Sequence, residues 1–231
     1  MDAPGFNGVA LVTGGARGLG VEICRQLAQA GMTVWLTARD EGRAAAVAAE
    51  LAGDGDVRSA RLDVEDPADV AALAARLDRL DVLVNNAAID YDTDARALTV
   101  DLDRVDRALD TNLFGAWRMA QAFAPRLRAS PHGRLVNVSS GAGSITEMGA
   151  GLPGYHVSKL ALNGLTRMLA AELRDYGVLV NSVCPGWTAT DMGEHGGRPV
   201  SEGARSVTWA CLLDDDGPTG GFFRDGQAIA W

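Results

Sequence analysis

The chain has 231 residues, 47% of them hydrophobic and 22% charged, which is the balance of a globular protein long enough to bury one large core. A formal charge of −9 excludes a general nucleic-acid or anionic-membrane binder, because those contacts depend on clustered Lys and Arg. Three cysteines (Cys24, Cys184, Cys211) without Cys-x-x-Cys spacing exclude a disulfide framework or a zinc site and fit a reducing compartment.

Met1 to Gly5 lacks the basic region and apolar stretch of a signal peptide, and no apolar run reaches bilayer length, so a cytoplasmic protein is expected. Short β-like runs then alternate with longer helical patterns, the signature of a parallel sheet covered by helices. Strands are predicted at 8–13, 32–38, 57–62, 81–85, 133–139 and 178–184, with a last short one at 226–230. Val82-Leu83-Val84 and Leu135-Val136-Asn137-Val138 read as strands buried on both faces. Helices are predicted over 43–52, 67–79, 101–129 and 153–176. In the last, Leu162, Leu165, Leu169 and Leu173 form one apolar stripe, Pro153 suits the first turn, and Gly177 suits a left-handed cap. With no linker or repeat, residues 1–231 read as a single α/β domain of Rossmann type, a doubly wound parallel sheet of about seven strands with helices on both faces.

The first strand runs into Thr13-Gly14-Gly15-Ala16-Arg17-Gly18-Leu19-Gly20. Glycines in such a turn let the backbone approach a pyrophosphate at a helix N-terminus, although the same turn also serves as a ligand-free connection. The second strand ends Leu36-Thr37-Ala38-Arg39, where an NAD-specific protein typically carries an acid. Arg39, with Arg17 opposite, suits a 2′-phosphate instead; Asp40 beside Arg39 is the opposing consideration, since it can neutralise the guanidinium. Ser139 and Ser140 end the fifth strand, where sites of parallel sheets collect, but they also suit a plain turn before Gly141. Tyr155 and Lys159 share a helix face, so an ammonium would favour the phenolate and lower the tyrosine pKa. A surface helix pair has the same spacing. Asn112 lies inside a predicted helix, where an exposed polar position is the ordinary reading. His132, His156 and His195 have no metal-ligand spacing and read as surface or loop residues. Trp187 and Trp209 suit an apolar cleft, the core or an interface.

Taken together, Thr13-Gly-x-x-x-Gly-x-Gly20, Asn85-Asn86-Ala87, Asn112, Ser140, Tyr155-x-x-x-Lys159 and Pro185-Gly186-x-x-x-Thr190 resemble the short-chain dehydrogenase/reductase family. Cys184-Pro185-Gly186-Trp187 with Thr190-Asp191-Met192, and the ending Gly217-Pro218-Thr219-Gly220-Gly221-Phe222-Phe223, look like its carbonyl-reductase branch. The resemblance implies an NADPH-dependent reductase of aldehydes or ketones with Ser140, Tyr155 and Lys159 as catalytic centre. Asn112 would distort its helix and hold a water that links Lys159 to solvent. NADP(H) would meet Gly14, Arg17, Gly18, Leu19 and Gly20, then Arg39, Asp63 and Val64 at the adenine end. Asn86 and Ala87 would meet its ribose through their backbone, and Tyr155, Lys159, Pro185, Gly186, Thr188 and Thr190 would lie toward the nicotinamide. Asp63 also suits a helix cap before Asp66-Pro67. Where the family usually has Asn-Asn-Ala-Gly this chain has Ala88, a cost of about 1 kcal/mol if that position needs positive φ. The Ser140–Tyr155 interval is slightly longer than in many relatives. The polar, Gly-rich stretch from Met192 to Ser201 reads as a substrate loop. The family also implies a homo-oligomer, dimer or tetramer, formed through the helices at 101–129 and 153–176. Two further readings stay open: a catalytically silent NADP-binding sensor, and an alcohol dehydrogenase working in the oxidative direction.

Overall fold

The computed structural model describes residues 7–89, 91–190 and 197–231. In chain order it contains β1 (Val9–Val12), α1 (Gly18–Gln29), β2 (Thr33–Ala38), α2 (Glu41–Glu50), β3 (Val57–Arg61), α3 (Pro67–Arg76) and β4 (Val82–Asn85). Then follow α4 (Leu102–Leu109), α5 (Ala116–Ala129), β5 (Arg134–Val138), α6 (Pro153–Leu173), β6 (Leu179–Val183), α7 (Val200–Cys211), β7 (Phe222–Arg224) and β8 (Gln227–Ala228).

The apolar runs form one sheet of order β3-β2-β1-β4-β5-β6-β7-β8. All neighbours are parallel except the antiparallel β7–β8 pair. Because helices cover both faces, β4, β5 and β6 are buried along their whole length. Two cores result. Ile23, Leu27, Leu36, Val84, Val136 and Val207 pack under α1, α2 and α7, while Leu11, Leu73, Leu83, Phe123, Leu135 and Leu173 pack under α3, α5 and α6. Strand order reverses between β1 and β4, and the crevice at such a switch point is where ligands of doubly wound sheets bind.

A buried polar chain fixes the sheet to α6. Asn85 Nδ2 donates to Asn137 Oδ1 at 2.9 Å, Asn137 Nδ2 donates to Thr166 Oγ1 at 2.8 Å, and that hydroxyl pairs with Ser182 Oγ at 2.7 Å. Every such bond in a dry core is costly to leave unmade, so register and helix placement are set together.

Three sequence expectations change in detail. The last short strand predicted at 226–230 is present as β8, but it runs antiparallel, and β7 just ahead of it was not foreseen. Asp225 (φ 52°) and Gly226 (φ 74°) turn the chain into the short β8. The helix predicted over 101–129 is continuous but carries a π-helical segment at Asp110–Gly115, centred on Asn112. The helix from Pro153 ends at Leu173 in a single 3₁₀ turn, capped by left-handed Gly177 as the sequence suggested. The stretch 191–196, half of the expected substrate loop and with it His195, lies outside the described residues.

Candidate active site

The C-terminal ends of β1, β2, β4, β5 and β6 open into one cleft of about 1190 Å³. Its floor is the turn from β1 into α1. Gly14 takes φ 62°, and a Cβ there would stand 3.0 Å from Ala87 Cα. At Gly20 a Cβ would meet Gly14 O at 2.3 Å, so the turn packs against the first turn of α1 only without side chains. Asn86 secures it from β4, donating through Nδ2 to Thr13 O (2.9 Å) and Gly14 O (3.1 Å). Thr13 Oγ1 accepts from Asn86 N and Ala87 N, both at 3.0 Å. With those N–H groups taken, the backbone at 86–87 has only its carbonyls to offer a ligand. Ala88 is not at positive φ, so the expected strain is absent.

Arg17 and Arg39 are exposed at the same end of the cleft, beside Asp63 and Val64. Asp40 is the N-cap of α2 and accepts from Arg43 N at 2.9 Å, and among the described residues it forms no ion pair with Arg39. Arg43 is a third cleft-lining arginine that the sequence reading missed, its Nε donating to Ala16 O at 3.0 Å across the glycine turn. Asp63 is not the cap of α3, a role that Asp66 takes; one Asp63 oxygen accepts from Glu65 N at 3.1 Å.

At the other end Ser140, Tyr155, Lys159, Cys184, Pro185, Gly186, Thr188 and Thr190 line the cleft together. Between the two serines the structure discriminates. Ser139 Oγ is buried without a partner among the described residues, whereas Ser140 Oγ accepts from Ala142 N at 3.2 Å and interacts with the Tyr155 hydroxyl. The expected lowering of the Tyr155 pKa is not found. Burial holds the phenol well above its ordinary value, and the Ser140 hydrogen bond offsets only part of that. Lys159 is buried too; its Nζ donates to Val138 O at 2.9 Å and lies 5.6 Å from the Tyr155 ring centre. Burial pushes its pKa down to about 8.

Asn112 is 1% exposed, not a surface residue. Its amide accepts from Ile89 N at 2.8 Å and donates to Ile89 O at 3.2 Å and Ser158 Oγ at 3.0 Å, tying the π segment to the loop after β4 and to α6. Asp92 holds the start of α6 and was also missed. Wholly buried, its carboxylate accepts from Gly154 N at 2.9 Å and Tyr155 N at 3.2 Å. That cap replaces one from Leu152, which sits at φ 49° and has no capping side chain. Tyr91 next to it lays its ring edge-on against Tyr155, centroids 5.0 Å apart, and 5.6 Å from Trp187. Trp187 thus belongs to the cleft and Trp209 to the interior, packed on Phe223 at 5.1 Å. His156 lines the cleft from the first turn of α6 rather than a loop, its pKa lowered by partial burial.

Residues 8–198 match the family described as short chain dehydrogenase. The chain belongs to that family. It is similar to (+)-neomenthol dehydrogenase of Arabidopsis thaliana, 34% identical over 94% of this chain and 96% of that protein. Carbonyl reductase [NADPH] 3 of Mus musculus is also 34% identical, over 96% and 98%. Among solved structures, the NADPH-bound carbonyl reductase from chicken fatty liver superposes with a TM-score of 0.87 at 27% identity, over 97% of this chain and 99% of that one. Within this short-chain dehydrogenase, Ser140, Tyr155, Lys159 and the glycine turn therefore share one cleft, and Asn112 stands behind it, outside the lining.

Proposed function

We propose that the protein reduces an aldehyde or ketone to an alcohol with NADPH. The observation that carries the reading is the buried Tyr155 hydroxyl beside Ser140, in a cleft that is also lined by the glycine turn and its arginines. The fit of a dinucleotide rests on that turn: a Cβ-free cradle at the positive end of α1 suits a pyrophosphate, and Arg17, Arg39 and Arg43 suit a 2′-phosphate. Asp63, Val64, Asn86 and Ala87 would hold the adenosine end, and Lys159, Pro185, Gly186, Thr188 and Thr190 the nicotinamide end. NADPH, when bound, supplies the hydride.

The protein's own work is positional and protonic. Ser140 Oγ donates to the carbonyl oxygen and holds it toward Tyr155. The Tyr155 hydroxyl gives that oxygen its proton as the carbon is reduced, so one hydride and one proton complete the alcohol. A phenol kept protonated by burial is suited to donation. Lys159, an ammonium at neutral pH with a pKa near 8, stabilises the charge left on the phenol. Asn112 would serve proton resupply through its backbone, since its side-chain amide is engaged. The reverse reaction uses the same groups. Relatives named as carbonyl reductase and as a dehydrogenase of an alcohol support this substrate chemistry.

The test is NADPH oxidation against a panel of ketones, repeated with NADH. NADPH should be clearly preferred, and Arg39→Asp should lower that preference on the order of tenfold or more, the worth of one charge-assisted contact. Equal use of both cofactors by the wild type would overturn the assignment. We further infer a dimer or tetramer, because Leu102, Phe114, Val157 and Met168 are exposed apolar residues on the helices at 101–129 and 153–176. A light-scattering mass of 24.1 kDa would contradict it.

A further inference from the structure

Arg224, the last residue of β7, forms part of the cleft wall next to Ser140, Gly141 and Ala142. Its hydrogen bonding is poor for a partly buried guanidinium. One Nη donates to Cys184 Sγ at 3.3 Å, and a thiol is a weak acceptor; Nε is buried with no acceptor among the described residues. Among the described residues no carboxylate pairs with it. Its neighbour Asp225 is engaged by both Nη atoms of Arg198 at 2.8 Å. Glu147, exposed on the same cleft, stands across Gly141: a Cβ there would lie 3.0 Å from Arg224 Nη2 and 3.9 Å from Glu147 Oε2. The contrast within the chain is Arg134, whose buried guanidinium has Asp215 at 2.6 Å and Leu213 O at 2.8 Å.

The guanidinium is also held in place. Asp225 N donates to Ser206 Oγ at 2.8 Å, and the Arg198–Asp225 pair ties the hairpin to the segment after β6. Arg224 and Gly141 N donate to the same sulfur, the latter at 3.2 Å, so the guanidinium lies beside Gly141, the residue that follows Ser140. Both side chains therefore line the same cleft, where one small substrate can meet Ser140 and Arg224 together. A planar guanidinium with no carboxylate partner among the described residues, fixed in that wall, is matched by a planar anion with two oxygens.

We propose that Arg224 binds a carboxylate on the carbonyl substrate, so that oxo acids are the preferred class. The inference rests on the carbonyl-reduction reading for its chemistry, not for the anion site itself. Tyr91 and Trp187 supply an aromatic wall in the same cleft, so an aryl oxo acid is a fitting probe. Glu147 opposes the bound anion, weakly because it is exposed to solvent.

The experiment compares 4-oxo-4-phenylbutanoate with its methyl ester as substrates under NADPH. The readout is the acid-to-ester ratio of kcat/KM. The wild type should favour the acid tenfold or more. Arg224→Gln should bring the ratio to about one, Arg224→Lys should keep part of it, and Glu147→Gln should raise it. A wild-type ratio near one overturns the proposal, as does an Arg224→Gln variant that loses acid and ester activity in step, which would mean a merely structural arginine. If neither compound is reduced, the reduction reading fails for these probes, and calorimetric binding of 4-phenylbutanoate in the presence of NADP⁺ decides the anion site. Binding weakened tenfold or more by Arg224→Gln supports the site; no binding, or binding that the substitution leaves unchanged, refutes it.

Discussion

Asp92 offers the sharpest test of how Tyr155, the proposed proton donor, is held. Its carboxylate is fully buried and accepts from Gly154 N and Tyr155 N, two N–H groups that the start of α6 would otherwise leave unpaired. Asp92→Ala removes both bonds, and no side chain of the helix itself can substitute, since Leu152 occupies the cap position. Hydrogen bonds to a charged acceptor contribute about 1.5–3 kcal/mol each, and the relief of burying the charge returns part of that. A net loss of about 3 kcal/mol is expected, or roughly 6–12 °C in Tm for a chain of this size. Asp92→Asn, which keeps one acceptor, should lose about half as much. The catalytic consequence is separable. A first turn freed to move shifts Tyr155 relative to Ser140, and a misplacement of about 1 Å is worth on the order of 100-fold in rate. At a temperature where Asp92→Ala is folded, kcat should therefore fall at least tenfold while NADPH affinity holds. Melting within 1–2 °C of wild type with kcat unchanged would refute the reasoning.

Lys159→Met should show a pH-dependent difference in stability from wild type. The folded-state pKa near 8 lies below the ordinary lysine value, so the unfolded chain binds more protons between pH 8 and about 10.5, and wild-type stability rises relative to the variant across that window. The full gain is about 3 kcal/mol; thermal melts at pH 7 and pH 10.5 that show a constant difference would contradict it. Gly20→Ala should abolish NADPH binding measured by fluorescence, because its Cβ would meet Gly14 O at 2.3 Å; normal binding would exclude the glycine turn as the cradle. Arg43→Ala should raise KM for NADPH several-fold more than KM for NADH, and equal changes would remove Arg43 from the 2′-phosphate end.

Much of this was readable in the sequence because the signals are local. Buried strands such as β4 and β5 are short apolar runs, and the glycine turn lies within eight residues of chain. Tyr155 and Lys159 fall one helical turn apart. What was not legible depends on distant partners. Asp92 acts across 62 positions, and nothing near it in sequence marks it as a cap. Arg43 reaches the cleft from α2, among alanines that advertise only a helix. Arg224 sits in a three-residue strand, too short to give a period. The missed strand β7 had a usable signal, Asp225-Gly226, the dipeptide that favours a tight hairpin turn into the next strand. The direction of the Tyr155 pKa was misjudged because only the nearby ammonium was weighed, whereas burial dominates and no sequence spacing reports it.

The central claim is that the Tyr155 hydroxyl delivers the proton in carbonyl reduction. The direct measurement is single-turnover oxidation of bound NADPH by a ketone in wild type and Tyr155→Phe, with NADPH affinity determined on the same samples. General acid catalysis by a positioned group is worth roughly 10²–10⁴ in rate. The variant should lose that much while binding NADPH as wild type does, since the ring and its packing against Tyr91 remain. A Tyr155→Phe enzyme that turns over within about tenfold of wild type, with unchanged NADPH binding, would contradict the account.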